Sequence, residues 1–237
     1  IYVIKEVYTM KVLIATIKSW NIENTYKLVD KYSHAHEIKL ISNQPDLLEK
    51  VVYKFDPDYI FFPHWSYMIP ESIFSCWNCI VFHMTDLPFG RGGSPLQNLI
   101  IRGFRETKIS AIQVSKELDS GPIYMQSMLS LEGSAEDIFK RASRIIFEEM
   151  IPKFLTKKLV PKEQSGEVTV FKRRSPKESE LQEDMDLCMI YDYIRMLDAE
   201  GYPNAFLRFG RYRLEFQNAS FIDGKLSASV NFKEETE

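Results

Sequence analysis

Cysteine is scarce in this 237-residue chain: three residues, an odd number and too few for the disulfide framework of a small secreted domain, so a reducing, cytoplasmic setting is expected. No apolar run approaches the roughly 20 residues of a membrane span, and no membrane partner is expected. The first nine residues, up to Thr9, lack a small-residue cleavage pattern behind an apolar core, so they do not read as a signal peptide. Met10 opens the first strong strand, and the natural start is expected there. Charge of one sign is also lacking. Thirty Lys and Arg against 33 Asp and Glu leave a formal charge of −3, so the whole-molecule field gives no general attraction to nucleic acid or an anionic membrane. Neither internal repeats nor low-complexity tracts are present. What remains is an ordinary globular composition, 45% hydrophobic, 13% aromatic and 27% charged. Such a chain can bury about 70% of its unfolded surface. Its length fits one large domain with a small appendage.

The patterning gives the fold class. Lys11–Thr16 (KVLIAT) is a continuous apolar strand of the kind buried on both faces. A helix is predicted near 23–31, a strand over 36–42, a helix near 45–53, a strand over 58–62, a short helix at 70–75 and a strand over 79–83. That alternation predicts an α/β fold with a doubly wound, mostly parallel, Rossmann-like sheet, which binds ligands outside the carboxyl ends of its strands. Strands follow at 110–115 and 123–130. Ser134–Asp137 forms a capping-box pattern for a long helix with Ile138, Ala142, Ile145 and Ile146 on one face, stopping or kinking near Pro152. Beyond Gln164 a helix carrying Ile190, Ile194 and Leu197, then short alternating strands with Asp223-Gly224 as a hairpin turn, predict a small β-rich C-terminal appendage. The expected division is a catalytic domain over 10–160 and a helix-plus-β domain over 161–237.

The stretch Val81-Phe82-His83-Met84-Thr85-Asp86-Leu87-Pro88-Phe89-Gly90-Arg91-Gly92-Gly93-Ser94-Pro95 places His83 at the end of a parallel strand, ahead of a glycine turn and a helix start with Ser94 as N-cap. Alone, such a histidine is usually structural. Glu117-Leu118-Asp119-Ser120-Gly121-Pro122 is a tight acidic loop, in isolation merely a turn. Other patterns carry less. Cys76-Trp77-Asn78-Cys79 precedes a strand and has no second ligand pair, His34 and His36 lack companions, and no metal site is expected. Lys172-Arg173-Arg174 reads as a solvated basic cluster.

In order, strand, His, Gly-loop, helix, strand and the LDSGPI loop resemble the folate-dependent formyltransferases, which include methionyl-tRNA, glycinamide ribonucleotide and nucleotide-sugar N-formyltransferases. The resemblance covers about 10–159. Tyr193 to Phe206 is similar to the post-catalytic domain of the longer members. The resemblance implies an enzyme that transfers a formyl group from N10-formyltetrahydrofolate to a primary amine. His83 would accept the amine's proton and Asp119 would orient and stabilise the imidazole. The family's usual Asn two residues before the His is replaced here by Val81. Thr85, protonated His83 itself or the Gly92-Gly93 backbone N–H groups are the candidate oxyanion donors instead. The family's pterin loop aligns with Tyr67, Met68 and Ile69, and with Val114, Ser115, Lys116 and Leu118 beside the acidic loop. Arg91 with Gly92, Gly93 and the Ser94 helix start forms either an anion site or a solvated loop arginine.

The acceptor is read by elimination. Residues 165–237 hold 10 Lys and Arg against 14 Asp and Glu, a net of −4 and a poor surface for tRNA. The expectation is therefore a small-molecule acceptor, an amino sugar on a nucleotide carrier, with no nucleic-acid partner; the alternatives are a methionyl-tRNA formyltransferase-like enzyme or a catalytically weak folate- or sugar-binding homologue. Aromatic-rich C-terminal strands offer a surface for a homodimer.

Overall fold

The computed structural model describes residues 9–47 and 49–234. The N-terminal stretch discussed above thus lies, apart from Thr9, outside the described residues. The elements are β1 (Lys11–Ala15), α1 (Ser19–Tyr32), β2 (Glu37–Ile41), α2 (Glu49–Phe55), β3 (Tyr59–Phe62), α3 (Glu71–Phe74), β4 (Cys79–His83), β5 (Arg91–Gly92), α4 (Pro95–Ile101), β6 (Glu106–Gln113) and β7 (Ile123–Ser130). They continue with α5 (Ala135–Ile145), α6 (Ile151–Thr156), β8 (Val170–Phe171), α7 (Leu187–Arg195), β9 (Ala205–Phe209), β10 (Tyr212–Ile222) and β11 (Lys225–Glu234).

The central sheet has the order β2-β1-β3-β4-β6-β7. Its first four strands are parallel, β6 runs antiparallel to β4, and β7 antiparallel to β6. The expected α/β class with a mostly parallel sheet and a small β-rich C-terminal part is the fold observed. Alternation along β1 and β3 explains the two layers. Val12, Ile14 and Phe61 face the core under α1, α4, α5 and α6, whereas Leu13, Ala15, Ile60 and Phe62 face a second core with Val52 and Ile73 of α2 and α3. Phe154 is fully buried, its ring 5.1 Å from those of Phe61 and Tyr124, and burial of such a side chain contributes roughly 1.5–3 kcal/mol.

Three local readings of the sequence meet the structure differently. The capping box forms: the Ser134 hydroxyl accepts from Asp137 N, and the Asp137 carboxylate accepts from Ser134 N. The long helix does not stop at Pro152. It widens into a π turn over Ile146–Met150 and resumes as α6, a geometry that accommodates the missing proline donor. Ser94 does not cap α4. Its backbone is left-handed (φ 50°), and its hydroxyl accepts from Arg174 N at 3.1 Å, so it cannot reach the helix N–H groups.

At the C-terminus β9, β10 and β11 form an antiparallel sheet, with Asp223 and Gly224 both at positive φ in the hairpin turn. Among the described residues no helix is long and apolar enough to cross a membrane.

Candidate active site

His83 ends β4, the last parallel strand, where the neighbouring strand reverses direction and pairs His83 with Ser110. The carboxyl ends of β1, β3 and β4 open a crevice there. Asp119 reaches it from the acidic loop between β6 and β7. Its Oδ2 lies 3.4 Å from His83 Nδ1 and accepts from Gly92 N at 2.9 Å. The imidazole is buried and the carboxylate partly buried, and they meet although 36 positions separate them.

Two cavities meet at this pair. The smaller, about 310 Å³, is lined by Phe62, Ile69, Phe74, Val81, Ile112 and Val114 with Gln113, Ser115 and Lys116 at its polar edge. The larger, about 590 Å³, runs between Trp20, Asn21, Phe139, Ile146, Tyr202 and Arg173. His64, Tyr67, Met68, His83, Leu118 and Asp119 line both. A separate groove of about 560 Å³ between α1 and α5 has mixed charge and shares Trp20 with the larger cavity.

The acidic loop is held from outside. Gln164 donates through Nε2 to the carbonyls of Asp119 and Gly121, both at 2.8 Å, and its Oε1 accepts from Arg91 Nε and Nη2 at 3.1 and 2.7 Å. A Cβ at Gly121 would run into the Gln113 carbonyl, so only glycine lets the loop pack this closely. Asp119 itself is left-handed (φ 52°), as are His64 and Ser94, which also line the larger cavity. Backbone in that region costs of order 1 kcal/mol for a non-glycine residue and persists where surrounding bonds fix it.

The structure sorts the sequence candidates. Tyr67, Met68, Ile69, Val114, Ser115, Lys116 and Leu118 all line the smaller cavity. Gly92, Gly93 and Ser94 line the larger one. Neither Thr85 nor Arg91 lines either. The Thr85 hydroxyl is fully buried and donates to Gly90 O, and the Arg91 guanidinium clasps Gln164, so the anion-site reading of Arg91 is corrected to a structural tie. The Gly92 and Gly93 N–H groups are spent on Asp119 and on Phe171 O, which removes them as oxyanion donors.

His83 also differs from the expectation of a base with an open nitrogen. Its Nε2 is 2.7 Å from Gly90 O and Nδ1 faces Asp119, so both ring nitrogens point at acceptors.

Two residues escaped the sequence reading. Gln164 stands where the chain changes character between its two parts, and His64 belongs to no motif. The remaining patterns are structural: His36 Nδ1 accepts from Met10 N, and burial pushes the Cys79 thiol up to about 12. Among the described residues no group of three His, Cys, Asp or Glu is placed to hold a metal ion.

A family model described as "Formyl transferase" matches residues 14–151, and one described as "Methionyl-tRNA formyltransferase, C-terminal domain" matches 176–233. The chain belongs to the formyltransferase family. A methionyl-tRNA formyltransferase from Caldanaerobacter subterraneus subsp. tengcongensis is 23% identical over 222 residues, covering 90% of this chain and 69% of that protein. The chain spans between about half and about two-thirds of the length of such curated relatives. A solved structure named methionyl-tRNA formyltransferase from Clostridium thermocellum is 54% identical with a TM-score of 0.94, covering 95% of this chain and 100% of that one. A sugar N-formyltransferase from Shewanella sp. is 17% identical with a TM-score of 0.66, covers 96% of this chain and 99% of that one, and shares the fold alone.

These matches overturn the amino-sugar acceptor and the exclusion of a nucleic-acid partner. The reason is physical: a sum over 165–237 averages distant charges, whereas recognition depends on local potential. The basic cluster 172–174 is not merely solvated surface. Arg173 lines the larger cavity, and the Arg174 guanidinium lies 5.4 Å from the Tyr193 ring centroid.

Proposed function

We propose that this formyltransferase moves a formyl group from N10-formyltetrahydrofolate to the α-amino group of methionyl-tRNA. The observation that carries the two-substrate reading is the His83–Asp119 pair standing where two cavities join. The acceptor assignment is supported by the C-terminal family match and the 54% identical structure.

The smaller cavity suits the donor's flat heterocycle, with apolar side chains against its faces and Gln113, Ser115 and Lys116 along its edge. When bound, formyltetrahydrofolate supplies the one-carbon group. The larger cavity takes the aminoacyl end, and Arg173 at its rim is suited to a phosphate of the carrier. As the amine attacks the formyl carbon, Asp119 accepts the proton it sheds, and that proton passes to N10 as the C–N10 bond breaks and tetrahydrofolate leaves. His83, with Nε2 fixed on Gly90 O and Nδ1 facing Asp119, holds that carboxylate at the junction of the two cavities.

The test is to incubate the protein with N10-formyltetrahydrofolate and, separately, methionyl initiator tRNA and a panel of nucleotide-linked amino sugars, following the products by mass spectrometry. Formyl-methionyl-tRNA is the expected product. Formylated sugar with untouched tRNA, or no transfer to either, refutes the assignment.

A further inference from the structure

His64 is the second residue beyond β3, and everything around it fixes it. The preceding carbonyl, Pro63 O, accepts from Thr16 Oγ1 at 2.7 Å and from Asn21 Nδ2 at 3.1 Å. Its own backbone is left-handed (φ 53°). The ring stands edge-on to Phe139 at 4.6 Å and to Trp20 at 6.0 Å. Its Nε2 lies 3.1 Å from the Tyr202 hydroxyl, which comes from 138 residues away in the C-terminal part. Tyr202 in turn stacks on Phe139, with Lys18 Nζ 5.2 Å from its ring centroid.

Trp20, Phe139 and Tyr202 therefore make an aromatic box at one end of the larger cavity, and His64 lines that cavity as well as the smaller one. Burial drives the His64 imidazole down to about 3 and the Tyr202 hydroxyl up to about 12. The two are thus uncharged across the working range and do no acid–base chemistry there. Two more polar atoms of the box, Trp20 Nε1 and Asn21 Oδ1, are buried without a protein partner. Rigid, uncharged hydrogen-bonding groups in an apolar wall orient a ligand and reject a charged one, because desolvating a charge there has no compensating partner.

We infer that His64 and Tyr202 act together as a positioning pair for the acceptor, seating its neutral aminoacyl end in this box so that the amine meets Asp119. The inference rests on reading the larger cavity as the acceptor's. Neither side chain is a catalytic residue in this account. The pair also gives the C-terminal part a direct share in acceptor selection, through Tyr202.

The test is steady-state kinetics of Tyr202→Phe, which keeps the ring against Phe139 and Lys18 and removes only the hydroxyl, with His64→Asn as a second variant because asparagine tolerates left-handed backbone. The expected result for both variants is a rise of about 5- to 30-fold in KM for methionyl-tRNA, the loss of one hydrogen bond, and for Tyr202→Phe, whose ring lines only the larger cavity, KM for N10-formyltetrahydrofolate within about twofold and the pH profile of kcat unmoved. An acceptor KM that does not move, or donor and acceptor KM rising together as for a merely structural role, overturns the positioning pair. A wild-type protein that transfers nothing to methionyl-tRNA overturns the acceptor reading, and this inference with it, and is seen before any variant is made.

Discussion

Replacing Asp119 by Asn isolates the charge of the acidic loop from its shape. Asparagine accepts left-handed backbone and can still take the Gly92 N–H through its carbonyl oxygen, so the loop is expected to stay in place. What is lost is a negative charge 3.4 Å from His83 Nδ1, in a pair whose side chains are only 9% and 13% exposed. The substitution removes the proposed proton acceptor, a role typically worth about 10²–10⁴-fold in rate, so kcat should fall by at least roughly 10²-fold, about 3 kcal/mol of barrier. Formylation of methionyl-tRNA under saturating donor measures kcat, and thermal unfolding checks that the protein is intact. A folded variant within fivefold of wild-type kcat would refute the coupling of this carboxylate to the chemistry.

Three further outcomes are expected. Gln164→Ala releases both Arg91 and the carbonyls of Asp119 and Gly121; misplacing the carboxylate should lower kcat roughly 10- to 100-fold, checked by the same assay, with an unchanged kcat counting against the clasp. Gly121→Ala drives a methyl group into the Gln113 carbonyl and should destabilise the fold by about 3 kcal/mol or more, measured by denaturant unfolding; a loss under about 1 kcal/mol would show that the loop yields freely. His64 takes a proton near pH 6.5 when unfolded but only near 3 when folded, so the unfolded state binds more protons in between and stability falls as pH drops. Each pH unit in that window costs at most about 1.4 kcal/mol, and denaturant unfolding between pH 7 and 4.5 should show a shallower slope for His64→Asn than for wild type.

How much was legible follows from which signals are local. Val12 to Ala15 read directly as a doubly covered strand, the limits of β4 and β7 were visible in their composition, and the Ser134–Asp137 box declared itself within four residues. His83 and Asp119 are singled out by two motifs whose order resembles the formyltransferases, and every residue aligned with the pterin loop lines the smaller cavity. Ser94 misled because its identity suits a cap while its backbone, set by the passing 171–174 segment, does not. Gln164 and His64 carry no local signature: one works by folding back on a loop 43 residues earlier, the other through a tyrosine 138 residues later. The acceptor was misjudged for a related reason, since a charge sum holds no geometry and could not place Arg173 at the cavity.

The return of the chain over the glycine turn bears on any attempt to work with the enzyme in parts. After α6, Lys162 bridges to Ile123, Gln164 grips the acidic loop, and β8 pairs with β5, laying Val170 and Phe171 against Arg91 and Gly92. A nick or truncation near 160 would therefore strip away the strap that keeps Asp119 at its post, and the fragment left behind would be expected to hold most of its core yet lose its chemistry. Adding back the excised peptide in trans, through Phe171, is the way to recover it.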